Sequence, residues 1–246
     1  MLIDTLKPHH VLAIVAHPDD IEYYCGGTIK KWTQSGVTVA FVVVTSGDKG
    51  SQDIHADIDH LIRVREQEQR DSGRVLGVED ITFLRYPDSE LSFVDHKVLR
   101  GAFVRHIRRT KPDVIFTHDP FVRFKRQHAD HRVVGRLALD AAFPIATVAQ
   151  CYREQIVDEG LSPWQPGDAL LFGTDAPTYI SDISATLAVK QQALLTHQSQ
   201  QSAFDGGMAE RLRWRAQTIG SPHGLSAAEE FLHVQLGVSL PNKEQS

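Results

Sequence analysis

Val11-Leu12-Ala13-Ile14-Val15-Ala16-His17-Pro18-Asp19-Asp20 is an apolar run that ends in a histidine, a proline and two adjacent carboxylates. Apolar residues at every position predict a buried strand, with the polar cluster at its C-terminal end. In an open α/β sheet that edge is where ligands bind. A histidine and a carboxylate a few residues apart there can reach one metal ion, leaving the second carboxylate free to handle protons. The same residues also suit a capped helix start, in which Asp19 or Asp20 accepts backbone N–H bonds and His17 fills space.

Working outward, Gly26-Gly27-Thr28 opens a helix over 26–35 that Gly36 ends, and residues 37–45 form a second strand, apolar at nearly every position. Such a strand belongs in a parallel sheet covered on both faces. A polar loop, residues 46–51, follows at the same sheet edge. A long helix is expected over 58–76, stopped by Gly77, then a strand over 81–84 that runs into Arg85-Tyr86-Pro87-Asp88. A helix over about 97–110 precedes a fourth strand, 114–117. This alternation predicts a Rossmann-like α/β fold, a doubly wound, mostly parallel sheet flanked by helices. Past residue 143 the pattern loosens into strands at 169–172 and 178–183 and helices at 184–197 and 208–219. No repeat or low-complexity linker interrupts the chain, so one domain over 1–246 is expected, with a core at about 8–145 and a C-terminal extension at about 146–246 capping the sheet.

The 246 residues suffice for a full core, and a hydrophobic share of 41% with 23% charged residues excludes disordered and fibrous classes. A net charge of −5 argues against a nucleic-acid partner. Only Cys25 and Cys151 occur, which excludes a disulfide framework and a cysteine-only zinc site and fits a reducing compartment. No signal peptide is evident and no stretch is long enough to span a membrane, so a cytoplasmic location with no membrane partner is expected.

The fourth strand leads into His118-Asp119-Pro120, a loop carrying Arg123, Lys125 and Arg126, and then Gln127-His128-Ala129-Asp130-His131. His128 and His131 fall on neighbouring positions of one helix face, with Asp130 placed to orient one of the imidazoles. If the first and fourth strands are adjacent, their ends open into one crevice. His17 and Asp20 then come from one strand end and His131 from the other, and three N/O ligands with a position left for water compose a catalytic zinc site rather than a closed structural one.

Ala16-His17-Pro18-Asp19-Asp20 with Gly26-Gly27-Thr28, together with His128-Ala129-Asp130-His131, resembles the PIG-L (LmbE-like) zinc-dependent N-acetylglucosaminyl deacetylases. The resemblance extends to Arg65-Glu66-Gln67-Glu68 before Leu76-Gly77, to Pro87-Asp88, and to the stretch from Lys190 to His197-Gln198-Ser199-Gln200. Within the family the pattern is most similar to the diacetylchitobiose and bacillithiol-pathway deacetylases. One departure stands out: many members carry a Glu directly after the Asp pair, whereas here Ile21 intervenes before Glu22, which leaves the role of Glu22 open.

The resemblance implies Zn2+ held by His17, Asp20 and His131, with other divalent metals also suited to such a site. It implies Asp19 as general base, and a protonated His128, held by Asp130, as partner of the oxyanion. Arg65 would lie near the substrate or the acetate product, the alternative being a helix-surface pair with Glu68. Asp48 and Asp88 are expected either to accept sugar hydroxyls or to cap loops. Arg123, Lys125 and Arg126 read as a solvated loop or as a rim for an anionic substituent. His118 is expected to be structural and Cys25 a buried small residue. The implied partner is a small N-acetylated saccharide, and the implied assembly a homo-oligomer, with a hexamer as the suggested form. Two other classes compete. A Rossmann nucleotide enzyme would need G-x-G-x-x-G where His-Pro-Asp-Asp stands, and a non-catalytic carbohydrate-binding protein would need neither Asp19 nor His128.

Overall fold

A computed structural model describes residues 1–123, 126–204 and 207–237. The elements run β1 (Leu2–Ile3), β2 (His10–Val15), α1 (Asp20–Tyr24), α2 (Gly26–Gln34), β3 (Thr38–Thr45), α3 (Ile58–Leu76), β4 (Asp80–Tyr86), α4 (His96–Thr110) and β5 (Val114–His118). After these come α5 (Ala129–Ala142), α6 (Arg153–Val157), β6 (Asp168–Phe172), β7 (Tyr179–Asp182), α7 (Leu187–Leu194), α8 (Met208–Gly220) and β8 (Ala228–Gln235). They build a single eight-stranded sheet in the order β1-β7-β8-β6-β5-β2-β3-β4. Strand β8 runs antiparallel to β6 and β7, and every other pairing is parallel. The expected mostly parallel, doubly wound sheet is what the chain forms.

The apolar runs of β2 and β3 are explained by the two cores they feed. Val11, Ala13, Val15, Val39, Phe41 and Val43 pack with Ile21, Ile29, Trp32 and Leu76 of the α1–α3 side. Their alternate neighbours Leu12, Ile14, Ala16, Ala40, Val42 and Val44 pack with Leu99, Phe103 and Ile107 of α4 and with Val134, Leu137 and Ala138 of α5. Side chains alternate across a strand, so a strand covered on both faces needs an apolar residue at each position.

Helix α3 has the predicted bounds. Asp57 accepts from the His60 N–H at 2.9 Å, a cap worth about 1 kcal/mol, and Gly77 ends the helix in the left-handed region at φ 86°. Elsewhere the chain departs from expectation. The Asp pair opens a separate five-residue helix, α1, before α2 begins. The helix expected over 184–197 is only Leu187–Leu194, because the Ser184 N–H and hydroxyl both donate to Asp182 Oδ1 and hold a turn. Strand β8, Ala-Glu-Glu-Phe-Leu-His-Val-Gln, carries no clean alternation and was not foreseen. The C-terminal region therefore does more than cap, adding three strands to the sheet. Among the described residues, no helix is long and apolar enough to cross a membrane.

Candidate active site and metal centre

Strands β2 and β5 are hydrogen-bonded neighbours, with Val11 opposite Val114 and Ala13 opposite Phe116, so their ends open side by side as the strand-order reading requires. Helix α5 is drawn close to the end of β5 at Gly135, where a Cβ would collide with the His118 carbonyl. One turn earlier, the His131 ring stacks on buried His118 at 3.8 Å between centroids. His118 Nε2 accepts from the Ala16 N–H at 3.2 Å, and burial drives its pKa down to about 3. His118 is thus a neutral spacer that seats His131 against the end of β2.

Three donors converge there. His131 Nε2 lies 3.2 Å from His17 Nδ1 and 3.3 Å from Asp20 Oδ1, and His17 Nδ1 lies 3.5 Å from Asp20 Oδ2. Tetrahedral ligands at zinc distances of about 2.0–2.1 Å stand about 3.3 Å apart, so the trio already has the spacing of a closed coordination edge. Burial raises the Asp20 carboxyl, but the His131 ring beside it outweighs this and holds its pKa well below the usual carboxylate range. His17 is also buried, which lowers its pKa, yet Asp130, Asp20 and Asp88 around it carry it well above the ordinary imidazole value. Two imidazoles and a carboxylate, with further carboxylates behind, form a donor set that suits a divalent cation.

Asp19, next to Asp20 in sequence, stands apart from the trio. Its backbone is left-handed, φ 97° and ψ −22°, a conformation that non-glycine residues adopt only when held. Gln69 Oε1 accepts its N–H at 3.1 Å, while Arg65 Nη2 donates to Asp19 Oδ2 at 3.1 Å and to the Pro18 carbonyl at 2.7 Å. Arg65 is buried, and its Nη1 donates to the Gly47 carbonyl. The surface pair with Glu68 is not formed; Glu68 instead accepts from the Ser199 N–H and hydroxyl. Burial lifts the Asp19 pKa above its ordinary value, opposed by Arg65 and reinforced by Asp20.

On the far side of His17, Nε2 lies 3.1 Å from Asp88 Oδ1 and 3.5 Å from Asp130 Oδ2. Carboxylates behind a ligating imidazole fix its tautomer and orientation. Asp130 is fully buried and accepts the Ser89 and Leu91 N–H groups at 2.7 and 3.2 Å. Its carboxylate stands 3.9 Å from His128 Nδ1, so it does not clamp His128 as expected; the backbone N–H of Asp130 does, donating to Nδ1 at 3.2 Å. That bond places the imidazole proton on Nε2. Burial, with the His17 and His131 rings nearby, lowers the His128 pKa, which favours a neutral N–H donor over the expected imidazolium.

The cleft, about 440 Å³, is lined by His17, Asp19, Asp20, Arg65, Asp88, His128 and His131. Asp48 is not among its walls; it accepts the Asp88 N–H at 2.8 Å and so holds the loop that carries Asp88. Arg123 and Arg126 are exposed and lie outside the lining, and Lys125 lies outside the described residues. Sequence reasoning missed Tyr23, Tyr24, Gly50, Leu194, Gln200 and Met208, which also line the cleft. Gln200 stands in the His-Gln-Ser-Gln stretch and the tyrosines directly follow the Asp pair, but nothing local marks Leu194 or Met208.

A family profile described as PIG-L, GlcNAc-PI de-N-acetylase, matches residues 12–142, more than half of the chain. The chain belongs to the PIG-L family. A diacetylchitobiose deacetylase of Thermococcus kodakarensis is 34% identical over 77% of this PIG-L chain and 69% of its own length. A probable N-acetyl-alpha-D-glucosaminyl L-malate deacetylase 2 of Bacillus cereus is 28% identical over 79% of this chain and 85% of its own. Among solved structures, the N,N'-diacetylchitobiose deacetylase of Pyrococcus horikoshii, complexed with its inhibitor, superposes with a TM-score of 0.84 at 29% identity, covering 96% of this chain and 88% of that one.

Proposed function

We propose that this PIG-L chain is a metal-dependent hydrolase that removes the acetyl group from an N-acetylglucosamine-type saccharide or conjugate. One observation carries the reading: His17, Asp20 and His131 converge at 3.2–3.5 Å while Asp19, held apart from them, faces the same cleft. The relatives support the substrate class, being named for diacetylchitobiose and for an N-acetylglucosaminyl malate.

His17, Asp20 and His131 would hold the ion, and two imidazoles with one carboxylate are a donor set found in catalytic zinc sites, hence zinc. When bound, such an ion supplies Lewis acidity and lowers the pKa of a water to about 7. Asp19 takes up the proton of the attacking water and delivers it to the departing amine; its raised pKa brings it nearer the working pH for both steps. His128, with its proton on Nε2, donates to the oxygen that becomes negative as the amide carbon turns tetrahedral. Asp88 and Asp130 keep the His17 ring oriented, and Arg65 ties Asp19 to the loop through the Pro18 carbonyl. A homo-oligomeric assembly belongs to the same proposal and rests on the sequence resemblance, while a single working domain rests on the uninterrupted element pattern and a cytoplasmic location on the two-cysteine composition.

The test is a panel of N-acetylated saccharides, including N-acetylglucosamine, diacetylchitobiose and N-acetylglucosaminyl conjugates, assayed for amine release with metal-reconstituted and metal-stripped protein. Release that depends on the metal is expected. Metal bound without release from any member would favour a carbohydrate-binding protein instead.

A further inference from the structure

Two features of the sequence have no part in the mechanism above: Glu22, two residues after Asp20, and the stretch His197-Gln198-Ser199-Gln200. Both are brought to one place behind Asp19. Glu22, Gln69, Ser72 and His197 are all essentially inaccessible to solvent. Glu22 Oε1 accepts from Gln69 Nε2 at 2.8 Å and from the Ser72 hydroxyl at 2.5 Å, and His197 Nε2 lies at ion-pair distance, 3.3 Å, from Glu22 Oε2.

An amide side chain can face either way, and its neighbours decide which. Glu22 Oε1 accepts from the Ser72 hydroxyl as well, so the Gln69 group that meets this same oxygen is its NH2, and Gln69 Oε1 faces the other way. There it meets the Asp19 N–H at 3.1 Å. We propose that Gln69 is a positioning residue for Asp19, and that the buried Glu22–His197 pair sets the orientation of the Gln69 amide. The proposal rests on Asp19 being the proton acceptor of the reading above.

Two details strengthen it. Asp19 is the residue of this loop that takes the left-handed conformation, and without Gln69 its N–H would lose its acceptor. Relaxation toward an ordinary backbone would then swing the carboxylate away from the donor trio. The His197 stretch also grips α3 one residue from Gln69: the Ser199 N–H and hydroxyl donate to Glu68 at 2.8 and 2.6 Å, and the Thr196 hydroxyl donates to the Glu68 carbonyl at 3.2 Å. The C-terminal motif thereby fixes the part of α3 on which the loop of Asp19 hangs.

The experiment compares metal-loaded wild type with Gln69→Leu, Glu22→Leu and Glu22→Gln in steady-state kinetics, metal content and amide hydrogen exchange of the segment 17–22. Gln69→Leu should lower kcat by about tenfold or more, leave KM within about twofold and keep the metal. Exchange at Asp19 should quicken by about tenfold while the core strands keep their protection. Glu22→Gln retains an oxygen to accept from Gln69 and should lose clearly less kcat than Glu22→Leu. If Gln69→Leu does not fold, Gln69→Met, similar in length and only a weak acceptor through its sulfur, takes its place with the same expectations. Unchanged exchange at Asp19, a uniform loss of protection, a change in KM alone, or equal damage from Glu22→Gln and Glu22→Leu would each overturn the proposal. If wild type releases amine from no saccharide, the deacetylase reading fails on its own, and the exchange measurement still decides whether Gln69 holds Asp19.

Discussion

Replacing Asp19 with asparagine separates proton transfer from everything else the residue does. Asparagine tolerates the left-handed backbone seen at φ 97°, keeps the N–H that Gln69 accepts, and retains an oxygen for Arg65 Nη2. The donor trio is untouched, so metal content should stay at the wild-type level. What disappears is the basic oxygen, and general-base catalysis contributes about 10²–10⁴ in rate, equivalent to about 2.7–5.4 kcal/mol of barrier. The folding cost is smaller, because the Asp19 side chain is 23% exposed and only the charge on one hydrogen bond is lost, about 1.5 kcal/mol. Amine release from an N-acetylated saccharide, normalised to bound metal and checked against a thermal melt, measures the effect. Asp19→Asn retaining more than about a tenth of wild-type kcat with full metal occupancy would refute the base assignment.

Other substitutions probe the remaining layers. His131→Ala removes both a donor and the ring stacked on His118, and should lose metal and turnover together after dialysis, read by elemental analysis and amine release. Lys190→Met strands the Glu229 carboxylate from an ammonium 2.6 Å away, both side chains being buried, so a loss of about 3 kcal/mol is expected in urea denaturation, and less than about 1 kcal/mol would contradict the pairing. His106 has its pKa pushed down to about 4 by burial and then by Arg109. Below its ordinary value near 6.5 the unfolded chain takes a proton that the folded ring refuses until about pH 4, so stability is full above that window and falls as pH drops through it. His106→Gln should flatten this part of the melting-temperature profile, and an unchanged slope between pH 6.5 and 4 would exclude the assignment.

The sequence revealed what local chemistry controls. The two-sided apolar runs of β2 and β3 specify a sheet covered on both faces, and Asp57 and Gly77 bound α3 without help from the rest of the fold. The convergence of His17, Asp20 and His131 was also legible, because strand adjacency turns two short motifs into one crevice. What stayed hidden depends on distant partners. Strand β8 alternates poorly because it is wedged between β6 and β7, and Met208 and Leu194 enter the cleft only through the packing of α7 and α8. Asp48 sits at the active edge, as its strand-end position implied, but turns its carboxylate to the Asp88 backbone, a choice that loop geometry makes and composition cannot. The partner of His128 was hidden for a similar reason, since the backbone N–H of Asp130, rather than its side chain, meets the ring.

Glu229 lies on β8, yet it accepts the Gly27 and Thr28 N–H groups, 202 and 201 residues away along the chain. That contact has a consequence for synthesis. A nascent chain stopped before Ala228 would already contain His17, Asp19, Asp20 and His131, but would lack both the acceptor for the start of α2 and the strand that joins β6 to β7. Truncation ahead of β8 is therefore expected to unsettle the start of α2 even though residues 12–142, the stretch that matches the family profile, would all be present.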